Sequence, residues 1–455
     1  MSAPRRLIEP QVSADIPPPL TRAEAEALGK RALAMSRVPL AFVSFSGQTS
    51  GSSRFARNEV SAASDSSSLS IRVTSFYKGR SGVAEISQFD DESLRKAITL
   101  SETLARAHRS GPFLSDEALG PETYLQPELW KQSTLPILDP LQRFPFVRSA
   151  MDASRAADME GAGFIEVGQI WRSVSNNKGL FAYANSTFAS FTMSARTRDG
   201  MASGWAGRTF PDWARINPDH VIARAIDIAK RSRNPVAIEP GRYTVILEPN
   251  ALAAMWQPVM VNLRREAPVF TQQQGGSKIG LRMLDARISV VADPMHPDGG
   301  FNAFDIYGTP IRRTVWFENG VLKQLPSTFL YSMDKAKEQL INTQAAQMTG
   351  GTATLEEMIA STRRGVWVNR FSALDVVDAR TLMETGVTRD GAFLIENGKI
   401  TKPIKNLRFN ESPFFILNNV EVLGVPERVA IGGAPMVMPR VKVRDFTFTS
   451  LSDAV

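Results

Sequence analysis

The chain contains no cysteine among its 455 residues. This absence excludes disulfide bonds, thiolate metal ligands and a cysteine nucleophile. Histidine is nearly absent as well, because only His108, His220 and His296 occur, and they lie far apart in the sequence. A histidine-rich metal site would have to be assembled by folding, with carboxylates supplying most of its ligands. We therefore expect the chain to hold no metal of its own.

Long apolar runs are also missing. No stretch approaches the ~20 consecutive apolar residues that a membrane-spanning helix requires. The opening sequence MSAPRRLIEPQVSADIPPPL has two arginines but no apolar run after them, which is typical of neither a secretory signal nor a twin-arginine leader. We expect a soluble, cytoplasmic protein that does not engage a membrane. No sequence period of roughly 20 to 50 residues repeats, which excludes a solenoid.

The surplus of positive charge is small and dispersed. A total of 53 Lys and Arg against 46 Asp and Glu gives a net charge of +7, which would suit nucleic acid or an acidic partner. The basic residues fall in short groups, however: Arg264-Arg265, Arg312-Arg313, Arg363-Arg364 and Arg440 to Arg444. Solvated surface charge is the favoured interpretation, and nucleic-acid binding is not expected.

The residues that are present predict an α+β protein of two domains. With 43% hydrophobic and 22% charged residues, the chain has the composition of a typical globular protein. After a tail at 1–20, Thr21 and Glu24 stand at capping-box spacing and open an N-terminal domain over 21–235. We expect an antiparallel sheet with helices there, beginning with a meander of four short alternating runs between 39 and 88.

A Pro- and Gly-containing stretch, RNPVAIEPG, places the domain boundary near 235. The second domain, 236–455, is predicted to be mostly β, with a barrel-like antiparallel sheet. Asn319-Gly320 and Asn397-Gly398 each separate two alternating runs, and Asn-Gly is the strongest short signal for a hairpin because both turn positions need positive φ.

One predicted helix follows the strand-like GRYTVILEPN and reads ALAAMWQPVMVNLRRE. Pro249 favours a helix start, because the first turn cannot use the N–H that proline lacks. Six apolar residues recur at helical spacing and predict one buried face: Leu252, Met255, Trp256, Val259, Met260 and Leu263. Pro258 predicts a bend or a division into two short helices. Nothing between Asn250 and Asn262 ionises, so the helix carries no catalytic chemistry of its own.

The motifs along the chain resemble those of the TldD/PmbA family, in that family's order and over nearly the whole length. The matching runs are GSSRFARNEVSA, ANSTFASFTMSA, GRYTVILEPNALAAM, ISVVADP, FDIYGTP with VWFENGVL, and GAFLIENGKITKPIKNLRF with NNVEVLG. The resemblance implies that TldD-type members carry HExxxH on the helix after YTVIL and complete a zinc site with a later cysteine. Two histidines would bind the metal, and the glutamate would position a water whose pKa the zinc lowers.

That comparison places Trp256 and Val261 at the two histidine positions and Gln257 at the glutamate. Tryptophan and valine cannot ligate zinc, glutamine cannot accept the proton, and the chain has no cysteine. The helix is therefore interpreted as a degenerate active-site helix, without catalytic residues or metal. The resemblance is then to the PmbA (TldE) branch, which pairs with TldD as a heterodimeric peptidase for flexible peptides. Zinc is expected only in a TldD-type partner.

The loop ADPMHPDGG carries Asp293, His296 and Asp298 and is the one stretch that resembles a ligand set. Such loops are usually polar turns in which Asp accepts backbone N–H bonds. The family resemblance places this loop near the cleft and favours contact with peptide over metal binding. Asp305, in FDIYGTP, matches a family acid of the same kind, with turn capping as its alternative role.

The remaining polar groups receive structural interpretations. Asp90-Asp91 and Glu356-Glu357 stand at predicted helix starts, where the dipole favours negative charge. The serines of SDSSSLS have no neighbouring base to activate them. Arg54 and Asn58 belong to a family motif and are interpreted as surface strand residues.

Three hypotheses follow from different functional classes. The first is a non-catalytic subunit that binds peptide and pairs with a zinc-bearing partner. The second is an active hydrolase with an atypical site around Asp293 and His296. The third is a modulator associated with DNA gyrase or nucleic acid, which the family's other name and the basic charge suggest.

Overall fold

The computed structural model describes residues 19–107, 119–326, 340–429 and 434–452 and shows a mixed α+β protein. The helices in these ranges are α1 Arg22–Leu33, α2 Asp91–Ala107, α3 Pro140–Ala156, α4 Pro218–Arg231, α5 Pro249–Val261, α6 Leu355–Ala360 and α7 Pro413–Asn418. Short 3-10 helices span Gln132–Leu138, Trp213–Arg215 and Pro268–Phe270. No helix in the described ranges is both long and apolar enough to cross a membrane.

The N-terminal half is built on a six-stranded antiparallel sheet, as predicted. Its strands are β1 Leu40–Ala56, β2 Glu59–Tyr77, β3 Arg80–Ile86, β4 Met159–Asn176, β5 Phe181–Thr197 and β6 Ser203–Phe210. They are ordered β3-β2-β1-β4-β5-β6. Helices α1 to α4 cover one face, where they bury apolar residues such as Phe45, Ile71 and Phe191.

The four short runs predicted at the start of this sheet are wrong in number. They form three strands, because the second run contains a hairpin turn: Arg57 and Asn58 have φ of 52° and 60° between the long strands β1 and β2. Asn58 is a residue type that tolerates this conformation. It is more than a surface strand residue, because its side chain donates to the Met159 carbonyl (2.8 Å) and accepts from the Gly161 N–H (2.7 Å).

The C-terminal half contains an eleven-stranded sheet. Its strands are β7 Gly241–Leu247, β8 Val290–Ala292, β9 Thr314–Glu318, β10 Val321–Leu322, β11 Ala346–Met348, β12 Arg364–Asp378, β13 Met383–Glu396, β14 Lys399–Pro403, β15 Leu407–Glu411, β16 Val420–Arg428 and β17 Met436–Leu451. The path runs β10-β9-β8-β11-β17-β15-β13-β12-β7, and β7 pairs with β17 as well, so that β17, β15, β13, β12 and β7 form a circuit.

Most of these pairings are antiparallel, as predicted, but β7 with β12 and β11 with β17 are parallel. A helix, α5, separates β7 from the strands that follow, and parallel pairing needs such a crossover rather than a tight turn. Both Asn-Gly hairpin predictions are confirmed, with φ of 49° and 79° at Asn319-Gly320 and of 50° and 76° at Asn397-Gly398. The boundary predicted near 235 falls in the irregular segment between α4 and β7, and the division into two domains stays a prediction.

A loop of the C-terminal half packs on the second face of the N-terminal sheet. Phe304 is buried there among Phe42, Phe76 and Leu180. The Tyr124 hydroxyl donates to the Gly308 carbonyl at 2.8 Å and holds the same loop. The two halves are therefore joined by a shared apolar cluster.

Candidate functional site

Helix α5 begins where the sequence predicts. Glu248 is its N-cap and Pro249 its first residue. All six residues of the predicted apolar face are buried, with at most 1% exposure. Of the two alternatives that Pro258 predicted, a bend or a division, the division into two short helices is wrong, because one helix continues through Pro258. Only three residues follow this proline before the helix ends, and Asn262 then donates its backbone N–H (3.0 Å) and Nδ2 (2.9 Å) to the Pro258 carbonyl.

Trp256 belongs to the apolar core. Its side chain is fully buried, with ring centroids 5.8 Å from Phe317 and 6.2 Å from Phe414 in edge-to-face geometry. Among the described residues, Trp256 Nε1 has no hydrogen-bond partner. An indole N–H is a donor without a free lone pair, so this side chain packs and cannot ligate a metal.

The other two positions that the family resemblance assigns to the zinc motif lie outside the buried face of the helix. Gln257 is exposed, and Val261 is 47% exposed. Trp256 and Val261 are five residues apart and do not share a helical face. Within the described ranges, no three His, Cys, Asp or Glu side chains come together as a group that could hold a metal ion.

The loop after β8 is a polar turn. Asp293 Oδ1 accepts the Met295 N–H at 2.9 Å, and Asp293 Oδ2 lies 3.5 Å from Arg313 Nε. His296 Nδ1 accepts the N–H groups of Asp298 (3.1 Å) and Gly299 (3.0 Å). These contacts fit the turn interpretation.

Asp305 lies further along the same segment and also caps a turn. Its Oδ1 accepts the N–H groups of Tyr307 (2.9 Å) and Thr309 (2.8 Å). Of the four acidic and histidine residues predicted to line a cleft, the structure places one, Asp298, in the cavity described next. Asp293, His296, Asp305, Gln257 and Val261 are not among the residues that line this cavity.

A polar cavity of about 390 Å³ lies between the two halves. Its walls come from β6, the start of α4, the start of α5, the loop after β8, and strands β12, β16 and β17. Five arginines and three carboxylates line it: Arg208, Arg215, Arg224, Arg428, Arg440, Glu248, Asp298 and Glu427. Its volume lies within the roughly 300–1,000 Å³ that is usual for small-molecule sites.

Glu248 is the buried centre of this arrangement. Arg440 donates to both of its carboxylate oxygens, from Nε (2.9 Å) and Nη2 (2.8 Å). Arg224 Nη2 and Trp367 Nε1 donate to it at 2.9 Å each. Burial by itself raises the pKa of Glu248, but the bonds from Arg440 and the charge of Arg224 outweigh burial, so the net pKa is lowered and the carboxylate stays ionised.

Sequence reasoning missed this cavity because its arginines come from five separate segments. The interpretation of Arg440 to Arg444 as solvated charge is wrong for two members. The Arg440 side chain is 12% exposed and paired with Glu248, and Lys442 is buried, with Nζ donating to the Ser361 carbonyl at 2.9 Å. The alternation of residues along the strand could have indicated this burial. Arg440 and Lys442 lie on one face of the strand, and the residues that alternate with them are apolar.

Three models of one protein family match the chain in succession. The PmbA/TldA metallopeptidase domain 1 matches residues 41–105, the central domain 142–233 and the C-terminal domain 240–450. The chain belongs to the PmbA/TldD metallopeptidase family. This confirms the family predicted from the sequence motifs.

Curated members of the family are distant in sequence. A metalloprotease of Methanothermobacter thermautotrophicus is 21% identical over 223 residues, which cover 46% of this chain and 48% of the relative. A metalloprotease TldD homolog of Haemophilus influenzae is 22% identical over 270 residues, or 52% and 53% of the two chains. The chain spans about half the length of the curated relatives it matches.

Two solved structures share the fold over nearly the whole chain. TldE from Thermococcus kodakarensis has a TM-score of 0.78 at 17% identity, covering 93% of this chain and 99% of that one. A candidate modulator of a DNA gyrase from Thermotoga maritima has a TM-score of 0.81 at 17% identity, covering 93% and 100%. At this identity, the likeness establishes the common architecture.

Proposed function

We propose that this chain is a non-catalytic, TldE-like subunit of a zinc metallopeptidase that acts on flexible peptides. In this proposal, zinc is bound only by a TldD-type partner subunit. The observation that carries the proposal is the state of helix α5, whose Trp256 is fully buried in an aromatic cluster while Gln257 and Val261 face outward. A peptidase helix of this family would need ligands and a base at these positions.

The residue types of helix α5 support a role in packing rather than in metal binding. A catalytic zinc takes three protein ligands from Cys, His, Asp or Glu and keeps a position open for water. The residues from Asn250 to Asn262 include none of these types, and the chain has no cysteine. The fold of a metallopeptidase without this chemistry is best explained by a partner that supplies it.

The solved relatives support the choice of partner. The structure with a TM-score of 0.78 is a TldE, and curated relatives are named TldD homologs. We infer that this chain forms one wall of a peptide chamber and that α5 presents Gln257 and Val261 toward that space. Obligate interfaces of this kind commonly bury more than ~2,000 Å².

The test is co-expression with a TldD-type protein. A stable complex should elute together in size exclusion, and hydrolysis of an unstructured peptide should appear only in the mixture. The purified chain alone should carry no stoichiometric zinc after exposure to the metal. One equivalent of tightly bound zinc, or a chain that forms no complex and adds nothing to the partner's activity, would contradict the proposal.

A reverse substitution refines the test. Trp256→His with Gln257→Glu and Val261→His should not create activity in the chain alone, because a fourth ligand and the groups that orient the ligands are missing. Gln257→Glu with Val261→His is the matched control, since it changes exposed positions only and leaves the Trp256 core intact. Peptide hydrolysis by either variant without a partner would favour an active hydrolase instead.

The atypical hydrolase around Asp293 and His296 gains little support from the geometry. His296 Nδ1 already accepts two backbone N–H groups, and Asp293 is engaged by the Met295 N–H and lies near Arg313. These are the contacts of a stable turn. The proposed subunit role accounts for the same loop as part of a chamber wall.

A further inference from the structure

The cavity between the two halves carries more positive than negative charge. Five arginines face three carboxylates, so its lining has a formal surplus of two positive charges. The cavity lies within one chain, and it includes neither Gln257 nor Val261 of the degenerate motif. The positive charge of the cavity therefore needs an explanation other than the motif positions on α5.

Most of the carboxylate charge is already matched. Glu248 is held by Arg440 and Arg224, as described above. Asp298 Oδ1 accepts Arg215 Nη2 at 2.6 Å. Glu427 is 52% exposed and lies 3.8 Å from Arg440 Nη2, so it contributes at the rim. These contacts involve three of the five arginines.

Arg208 and Arg428 make up the surplus. Among the described residues, neither has a carboxylate within the 4.0 Å that an ion pair requires. Arg428 Nη1 donates to the Asp298 backbone carbonyl, and its Nε is buried without a hydrogen-bond partner in the described part of the chain. Burial lowers the pKa of Arg428 to about 10, against the opposing effect of Asp298. A guanidinium in this condition gains stability when an anion approaches.

Two further features favour an anion at this place. Helices α4 and α5 both begin at the cavity wall, with His220 and Val221 from one and Pro249 from the other. Helix N-termini carry partial positive charge. Burial and then the charges of Arg208 and Arg224 lower the pKa of His220, so its imidazole is neutral at pH 7 and can hydrogen-bond a ligand.

We infer that this cavity binds the carboxylate group of a small organic ligand, with Arg208 and Arg428 as its ion-pair partners. Arginine matches carboxylate geometry in a planar fork, as Arg440 already does with Glu248. The three acidic side chains limit the surplus to two charges and would repel a phosphate dianion more strongly than a carboxylate. They can also accept N–H groups from the rest of the ligand. The carboxylate has two chemical sources, the C-terminus of a short peptide and a free dicarboxylic acid.

Calorimetric titration of the full chain at about 50 mM salt distinguishes these sources, because screening at this ionic strength is weak. The probes are trialanine with a free C-terminus, trialanine amide, glutarate and inorganic phosphate. Binding of free trialanine, with the amide at least about tenfold weaker, assigns the site to peptide termini. Binding of glutarate alone assigns it to free dicarboxylates. Both results support the inference, and neither depends on the proposed partner subunit. Binding of phosphate alone, or of no probe, would overturn it.

Arg208→Gln is the decisive variant, because the Arg208 side chain makes no hydrogen bond or ion pair in the described part of the chain and its loss should not unfold the protein. The carboxylate that binds should be weakened about tenfold or more, the loss expected for one charge-assisted hydrogen bond. Arg95→Gln removes the same charge from an exposed position on α2 and should leave affinity within about twofold. Equal binding by Arg208→Gln and the wild type would refute the assignment.

Arg428→Gln gives a second measurement at the buried side of the cavity. It should weaken the same probe, and circular dichroism should show an unchanged fold before affinity is compared. Unchanged affinity in a folded Arg428→Gln protein would remove Arg428 from the proposed pair and contradict the inference as stated.

Discussion

At the residue scale, the side chain of Trp256 makes helix α5 part of the apolar core. Trp256 fills the space between Phe317 and Phe414 and has no exposed surface. A histidine at this point would leave a smaller, polar group in an aromatic cluster with no partner for its nitrogens. Tryptophan at this position therefore gives the helix the stability of a core element.

Trp256→Ala should lower the free energy of unfolding by about 3–5 kcal/mol, because it removes a large buried ring and leaves a cavity. Urea denaturation followed by circular dichroism measures this change. Gln257→Ala, next to it but exposed, is the control and should change stability by no more than about 0.5 kcal/mol. A Trp256→Ala protein within about 1 kcal/mol of the wild type would show that the ring is not packed as described.

A second residue-scale feature is the buried carboxyl of Glu384 on β13. It has no exposed surface, and neither oxygen has a hydrogen-bond partner among the described residues. Burial raises its pKa to about 8. Glu411 lies directly opposite on β15, accepts the Thr447 N–H at 2.7 Å, and also has a pKa raised by burial. Glu384 is therefore mostly protonated at neutral pH.

Because the folded-state pKa of Glu384 lies above its unfolded value of 4.5, its contribution to stability is greatest below pH 4.5 and is lost as the pH rises to about 8. Glu384→Gln should remove this loss, so the variant should gain stability relative to wild type across that window. Urea denaturation at a series of pH values measures the difference. Glu59→Gln, at an exposed position on β2, is the control. A constant difference between Glu384→Gln and wild type from pH 5 to pH 8 would contradict the raised pKa.

At the scale of elements, the signals that sequence reasoning used successfully are local. The capping box of Thr21 with Glu24 and both Asn-Gly turns depend on residues within a few positions of one another. The start of α5 and its buried face followed from the same kind of pattern.

The features that sequence reasoning missed depend on contacts between distant segments. The parallel pairing of β7 with β12 joins residues that are more than 100 positions apart, and no local pattern indicates it. The polar cavity likewise collects side chains from both halves.

Glu248 connects three elements and allows a test at this scale. Arg440 of β17 is 12% exposed and Arg224 of α4 is 33% exposed where they meet the carboxylate. Removing the more buried arginine leaves the buried Glu248 carboxylate with less compensating positive charge. Arg440→Met should therefore cost about 3–5 kcal/mol of stability, as for a broken buried pair.

The more exposed partner should matter less, and Arg224→Met should cost about 1 kcal/mol or below. Chemical denaturation of both single variants and of the double variant gives the two costs and their coupling. Equal destabilisation by Arg224→Met and Arg440→Met would contradict this expectation. It would show that the exposed fraction of each arginine does not determine how much it stabilises the Glu248 carboxylate.

At the scale of the whole molecule, the two halves share more than a linker. Phe304 from the C-terminal half lies in the apolar cluster of the N-terminal sheet, and Asn369 Nδ2 on β12 donates to the Trp205 carbonyl on β6 at 3.0 Å. The Arg370 guanidinium lies 4.9 Å from the centre of the Trp205 ring. These contacts hold the walls of the cavity in place, so a ligand there would meet a site that is already formed.

The distribution of charge over the molecule bears on the gyrase-modulator hypothesis. A net charge of +7 is modest for 455 residues. In addition, some of the basic side chains lie inside the protein. Lys442 is buried, the Arg440 side chain is only 12% exposed, and Arg143 is fully buried with its Nη2 2.7 Å from Asp65 Oδ1. Side chains in these positions cannot release counterions from a DNA backbone, because they do not reach the phosphates.

We therefore expect weak, nonspecific contact with duplex DNA. In about 150 mM salt the dissociation constant should be no tighter than the roughly 10⁻⁴ to 10⁻⁶ M that is typical of nonspecific binding. Fluorescence anisotropy with two unrelated duplexes of equal length, repeated over a salt series, measures both affinity and selectivity. The two duplexes should bind alike, and affinity should fall steadily as salt increases, since the attraction is electrostatic. A preference for one duplex that persists at about 150 mM salt would require base contacts, and would favour the modulator over the peptidase subunit.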